Sequence, residues 1–145
     1  MRTFKLTLGI AALGAALAGC STPNEYNPPE EPTNLAAYAA SNQYPMNTMA
    51  RDNPHITAVV DHKSGEITLR NFDSGPVANF KLWVNQIYVI HVDRIEPNSF
   101  KLIKPDDVFN STGNNMQKVP PDAIQKIQIE TADGQLWNVQ GPQLQ

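Results

Sequence analysis

The chain has 145 residues, with 11 Lys and Arg against 14 Asp and Glu, a formal charge of −3 and 41% hydrophobic side chains. That length limits it to one domain, and without a block of Lys or Arg it lacks the footprint of a nucleic-acid binder or of a basic lipid-headgroup patch. Its single cysteine, Cys20, leaves no intrachain disulfide to staple the fold, so the core must be hydrophobic and large enough alone.

In chain order, Arg2 and Lys5 form a positive start, Leu6 to Leu17 a charge-free apolar stretch, and Ala18-Gly19 the small residues that precede a signal-peptidase cut. The stretch is shorter than the ~20 residues of a spanning helix and is rich in Gly and Ala, which favours a cleaved signal over an uncleaved anchor. Leu17-Ala18-Gly19-Cys20 resembles the lipobox of bacterial lipoproteins. The resemblance covers the first 21 residues. It implies that residues 1–19 are removed and that Cys20 becomes the N-terminus, carrying diacylglycerol on its sulfur and usually a fatty acyl group such as palmitate on its amine. An ordinary secretory signal would leave Cys20 as a reactive or dimer-forming thiol, whereas acylation accounts for both its isolation and its place. Two or more chains hold firmly where one is marginal, so the expected partner is the membrane itself. Under the sorting rule of Gram-negative lipoproteins, Ser21 in place of Asp favours the outer membrane, facing the periplasm. Loss of Arg2 and Lys5 leaves nine basic side chains against 14 acids, a charge of −5.

Residues 20–54 carry Pro23, Pro28, Pro29, Pro32, Pro45 and Pro54 among many asparagines, and are expected to form a disordered tether after the lipidated cysteine. Within it, Thr33-Asn34 is placed to cap a short helix over Leu35–Ala40 that docks Leu35 and Tyr38 on the C-terminal domain.

From His55 onward, short β-rich runs alternate with turn residues, which predicts an all-β domain over 55–145. The strands are expected at 56–62, 66–71, 78–84, 87–92, 99–103, 124–131 and 135–139. Seven short strands favour a small antiparallel β-sandwich of immunoglobulin-like type, with a small open β-barrel as the alternative. In the last hairpin, a turn at Ala132-Asp133 with Gly134 left-handed pairs Thr131 with Gln135 and Ile129 with Trp137, making one face apolar. His62-Lys63-Ser64-Gly65 has the same turn chemistry. Phe80 to His91 is the densest apolar stretch. A two-residue turn at Asn85-Gln86 would pair Val84 with Ile87 and set Trp83 beside Tyr88 on the face away from the core.

A Trp83/Tyr88 pair on such a face could stack on a glycan such as peptidoglycan or anchor an envelope protein, or it could be packed beneath the tether helix. Catalytic motifs are sparse: there is no Gly-x-Ser-x-Gly elbow, and acylation consumes the thiol. His91 and Asp93, two apart on one strand, could orient an imidazole in a hydrolase or a metal-dependent enzyme. His55, His62, Met46 and Met49 match no zinc or copper spacing, and Asp106-Asp107 lacks the pattern of a calcium loop. Asn110-Ser111-Thr112 is formally a glycosylation sequon. These readings favour a non-catalytic envelope lipoprotein that binds or supports another envelope component, with no cofactor beyond the covalent lipid on Cys20.

Overall fold

The structure is a computed structural model that describes residues 34–53 and 55–139. Among these, one helix and nine strands follow in the order α1 (Leu35–Ser41), β1 (Arg51–Asn53), β2 (Ile56–Val60), β3 (Ile67–Asn71), β4 (Val77–Val84), β5 (Tyr88–Ile95), β6 (Phe100–Ile103), β7 (Phe109–Asn110), β8 (Ile127–Glu130) and β9 (Leu136–Val139). Three one-turn 3-10 segments lie between β6 and β8.

The strands form a small all-β sandwich. One sheet has the order β1-β9-β8-β4-β5-β7 and the other β2-β3-β6, with no closure into a barrel. β2-β3-β6 takes the place of the A, B and E strands of an immunoglobulin-like sandwich, and β5-β4-β8-β9 that of C′, C, F and G. Alternating residues make the core, where Ile56, Ala58, Ile67, Leu69 and Ile103 of the small sheet meet Phe80, Leu82, Val84, Ile90, Val92 and Ile129 of the large one. The outer face of the small sheet is open to solvent, with Val59, Phe100 and Leu102 exposed.

The last hairpin has the expected register, with Ile129 opposite Trp137 and Gly134 at φ +80°. Gly134 N–H donates to Thr131 O at 2.8 Å and Thr131 N–H to Gln135 O at 2.9 Å, closing a three-residue loop. The first hairpin is one residue longer. Asp61 N–H donates to Glu66 O across residues 62–65, and Asp61 Oδ1 accepts the backbone N–H groups of Lys63 and Ser64 at 2.9 and 2.7 Å. These N–H bonds and the Ser64 hydroxyl hold the Asp61 carboxyl below its ordinary range.

The central hairpin departs from the expected register by one residue. Val84 faces Tyr88, Trp83 faces Val89 and Leu82 faces Ile90, across a loop of Asn85, Gln86 and Ile87. Asn85 and Gln86 are both left-handed, at φ +51° and +64°, and Ile87 sits at the apex, 58% exposed. The slip has a packing reason. It sets Phe80, Leu82 and Val84 opposite Val92, Ile90 and Tyr88, an all-apolar inner face, where the shorter turn would have driven His91 into the core.

Residues 34–53, expected in the tether, belong to the folded unit. Asn34 Oδ1 caps α1 by accepting Ala37 N–H at 2.9 Å. Ala39 is wholly buried, and β1 pairs in parallel with β9. The helix thus forms a third layer over the outer face of the large sheet, and β1 extends that sheet at its β9 edge.

Candidate functional site

The shifted central register separates the two aromatic residues expected to share a face. Trp83 points outward with Val89, while Tyr88 is opposite Val84 on the core side and packs at its margin. Trp83 is only 2% exposed. It is covered by Ala39 and, partly buried, Tyr38, Tyr44, Ala50 and Phe109. Tyr44 stands perpendicular to its ring, centroids 5.4 Å apart. The pair Trp83/Tyr88 is therefore not a recognition face, and Tyr38 takes part in the docking of α1 as expected.

The polar groups around Trp83 satisfy one another. Its indole N–H donates to Glu130 Oε2 at 2.8 Å, and Lys81 Nζ donates to Oε1 of the same carboxylate at 3.1 Å. Tyr44 OH donates to Oε1 of the buried Gln128 at 2.8 Å and accepts from Gln86 Nε2 at 2.9 Å. Gln128 Nε2 donates to Asn138 Oδ1, and Asn138 Nδ2 to Asp52 Oδ1, which carries the network from α1's trailing segment to β1.

His91 and Asp93 have different partners. His91 lies edge-on to the Tyr38 ring at 6.0 Å, beside a small cavity lined also by Lys81 and Glu130. Asp93 accepts from Lys101 Nζ at 2.5 Å, joining the edges of the two sheets. Burial raises the Asp93 pKa, but the Lys101 hydrogen bond and backbone N–H groups outweigh it and hold the carboxyl below its ordinary range. Tyr38 shows the opposite effect, its phenol pushed up to about 12 by burial and then by the charge of Glu130. Among the described residues no group of three or more His, Cys, Asp or Glu side chains is placed to hold a metal ion. Met46 and Met49 are exposed, and Cys20 lies outside the described residues.

A cleft of about 330 Å³ opens where β5 meets β7, lined by Tyr88, Phe109, Gly113, Asn114, Asn115 and Lys118. The loop that forms it is built by asparagines. Asn110 Oδ1 accepts Thr112 N–H at 3.1 Å and Asn114 N–H at 2.9 Å, and Gly113 turns at φ +82° with open space where a Cβ would stand. Asn115 caps the next 3-10 turn, which buries Met116 and presents Lys118. Nothing in the sequence brings these residues together, because the loop closes only through β7, a two-residue strand. Of the six, Tyr88 alone stands out in the sequence, and its expected face is the wrong one.

Comparison of the chain with known protein families, with curated proteins and with solved structures finds no match. Among the described residues, no helix is long and apolar enough to cross a membrane.

Proposed function

We propose that this chain is a lipid-anchored protein of the bacterial cell envelope whose sandwich binds or supports another envelope component without catalysing a reaction. The observation that carries the anchoring is Leu17-Ala18-Gly19-Cys20, the sole cysteine at the end of a short apolar run. Thirteen residues, 21–33, separate Cys20 from Asn34. At ~3.5 Å per residue they extend to roughly 45 Å at most, so the domain stays close to its bilayer. Confinement of this kind raises effective concentration, and a modest contact made by the domain suffices to hold a neighbour in the same envelope.

The test is expression of the full chain in a Gram-negative host fed an alkyne-tagged fatty acid. The wild type should label, fractionate with membranes and show the mass of an acylated Cys20 peptide. Cys20→Ala should take up no label and leave the membrane fraction. An unlabelled wild type, or a Cys20→Ala variant that stays lipidated, would refute the anchor.

A further inference from the structure

We propose that the cleft between β5 and the 110–118 loop is a saccharide site, fitted to a pyranose bearing a carboxylate. The site would give the sandwich domain its binding role in the envelope, and it does not depend on the lipid.

The cleft gathers several polar groups that are open to a ligand around two aromatic residues. Around Trp83 the polar atoms are paired, whereas the Tyr88 hydroxyl, Asn114 Oδ1, Asn115 Nδ2 and Lys118 Nζ make no hydrogen bond or ion pair among the described residues. Its volume of about 330 Å³ lies at the lower end of ligand pockets, ~300–1,000 Å³, which suits one or two sugar rings. Tyr88 supplies aromatic surface for the C–H face of a pyranose, as amphipathic rings do where one side of a ligand is apolar and the other wet, and Phe109, which also covers Trp83, closes the other side of the cleft. Carboxamides can donate and accept at once, which matches hydroxyl and acetamido groups that do the same. Lys118 is the only charged residue of the lining, and its ammonium favours a ligand that carries an anionic group.

An extended peptide fits the same place poorly. Peptides commonly bind by adding a strand to a free edge, but the edge at β7 is occupied by its own loop. Asn110 N–H donates to Asn114 O and Met116 N–H to Val108 O, both at 2.9 Å, with a further bridge between Phe109 and Asn115. Recognition here must run through side chains, which favours a ligand whose polar groups project around a ring.

The experiment is calorimetric titration of the Cys20→Ser mature chain with three probes: a disaccharide of N-acetylglucosamine and N-acetylmuramic acid, neutral chitobiose, and an acidic tetrapeptide. The acidic disaccharide should bind most tightly, chitobiose more weakly and the peptide not measurably. Lys118→Gln, an exposed change that leaves the fold intact, should weaken the acidic disaccharide at least tenfold and chitobiose hardly at all. Asn114→Ala and Tyr88→Ala should weaken both, and a circular dichroism melt would show whether Tyr88→Ala is folded. Failure of the folded wild type to bind either sugar, binding indifferent to Lys118→Gln and Asn114→Ala, or preference for the peptide would each overturn the proposal. Membrane fractionation reports on the anchor separately, so the two readings can fail independently.

Discussion

Trp83 and Glu130 are joined by an indole hydrogen bond of 2.8 Å, beneath a helix, on the face of the large sheet that turns away from the core. Trp83→Phe removes that donor and part of the buried ring while Lys81 still holds the carboxylate. Loss of packing and an under-satisfied carboxylate oxygen should together cost about 2–4 kcal/mol. Urea unfolding followed by far-UV circular dichroism gives the value. A change below about 0.5 kcal/mol, the range of ordinary surface substitutions, would mean that the helix does not seal the site.

Alkaline titration should single out Tyr38. A phenol whose folded pKa is raised to about 12 holds its proton more tightly than in the unfolded chain, where it titrates near 10.0. Its contribution to stability is complete below pH 10 and is lost as pH rises towards 12. Absorbance at 295 nm should show a late ionisation in the wild type that is lost in Tyr38→Phe.

Acid should act on Asp93 in the opposite sense. Its lowered pKa makes its bridge to Lys101 contribute fully above the ordinary value of 3.8, and that contribution fades as pH falls through the folded value. Lys101→Met should flatten the pH dependence of the melting temperature below pH 4.

Asn85 ties the central hairpin to a distant loop. Its Nδ2 donates to Ala123 O at 2.7 Å, and its Oδ1 accepts from Gln125 and Lys126 N–H at 2.9 and 3.1 Å. Asn85→Gly keeps the left-handed backbone and loses the three bonds, at a cost of about 1–3 kcal/mol; Asn85→Ala adds the αL penalty of about 1–2 kcal/mol. Equal melting temperatures for the two variants would show that the side chain alone matters.

The helix layer is needed to keep the large sheet covered. A chain beginning at His55 lacks α1, Tyr44 and β1, which uncovers Trp83, Val89 and Leu136 and leaves Gln128 Oε1 without its Tyr44 partner. It should bind a hydrophobic dye and self-associate, and its Trp83 emission should shift to longer wavelength. A chain beginning at Asn34 should show none of the three.

Most strands are legible in the sequence because β-branched runs and turn residues alternate from Ile56 onward, and seven of the nine lie where that alternation puts them. Gly134 discloses the last register, since only a three-residue loop puts Ile129 and Trp137 on one side. The central register is not legible in the same way. Ile87 reads as the first residue of a strand, and no local signal says that it is given up to the turn so that Ile90 and Val92 can face inward. β1 escapes a sequence reading because Arg51-Asp52-Asn53 has no apolar pattern, its pairing with β9 being a tertiary event. The cleft is hidden for a related reason: Asn114, Asn115 and Lys118 are ordinary loop residues until β7 brings them to Tyr88.

The parallel pairing of β1 with β9 has a mechanical side. If the chain is anchored through Cys20 and holds an envelope partner, as proposed above, it is under tension whenever the two move apart, and the load enters from the N-terminal side. It reaches α1 first, which can peel away turn by turn. It then meets three register pairs, Arg51 with Trp137, Asp52 with Asn138 and Asn53 with Val139, lying alongside one another. A pull along β1 strains those pairs together in shear, whereas an antiparallel end strand opens like a zip. With the proposed anchor in place, a load from the N-terminal side would meet α1 first and then the β1–β9 clasp, and would stretch the helix layer before it disturbed the cleft.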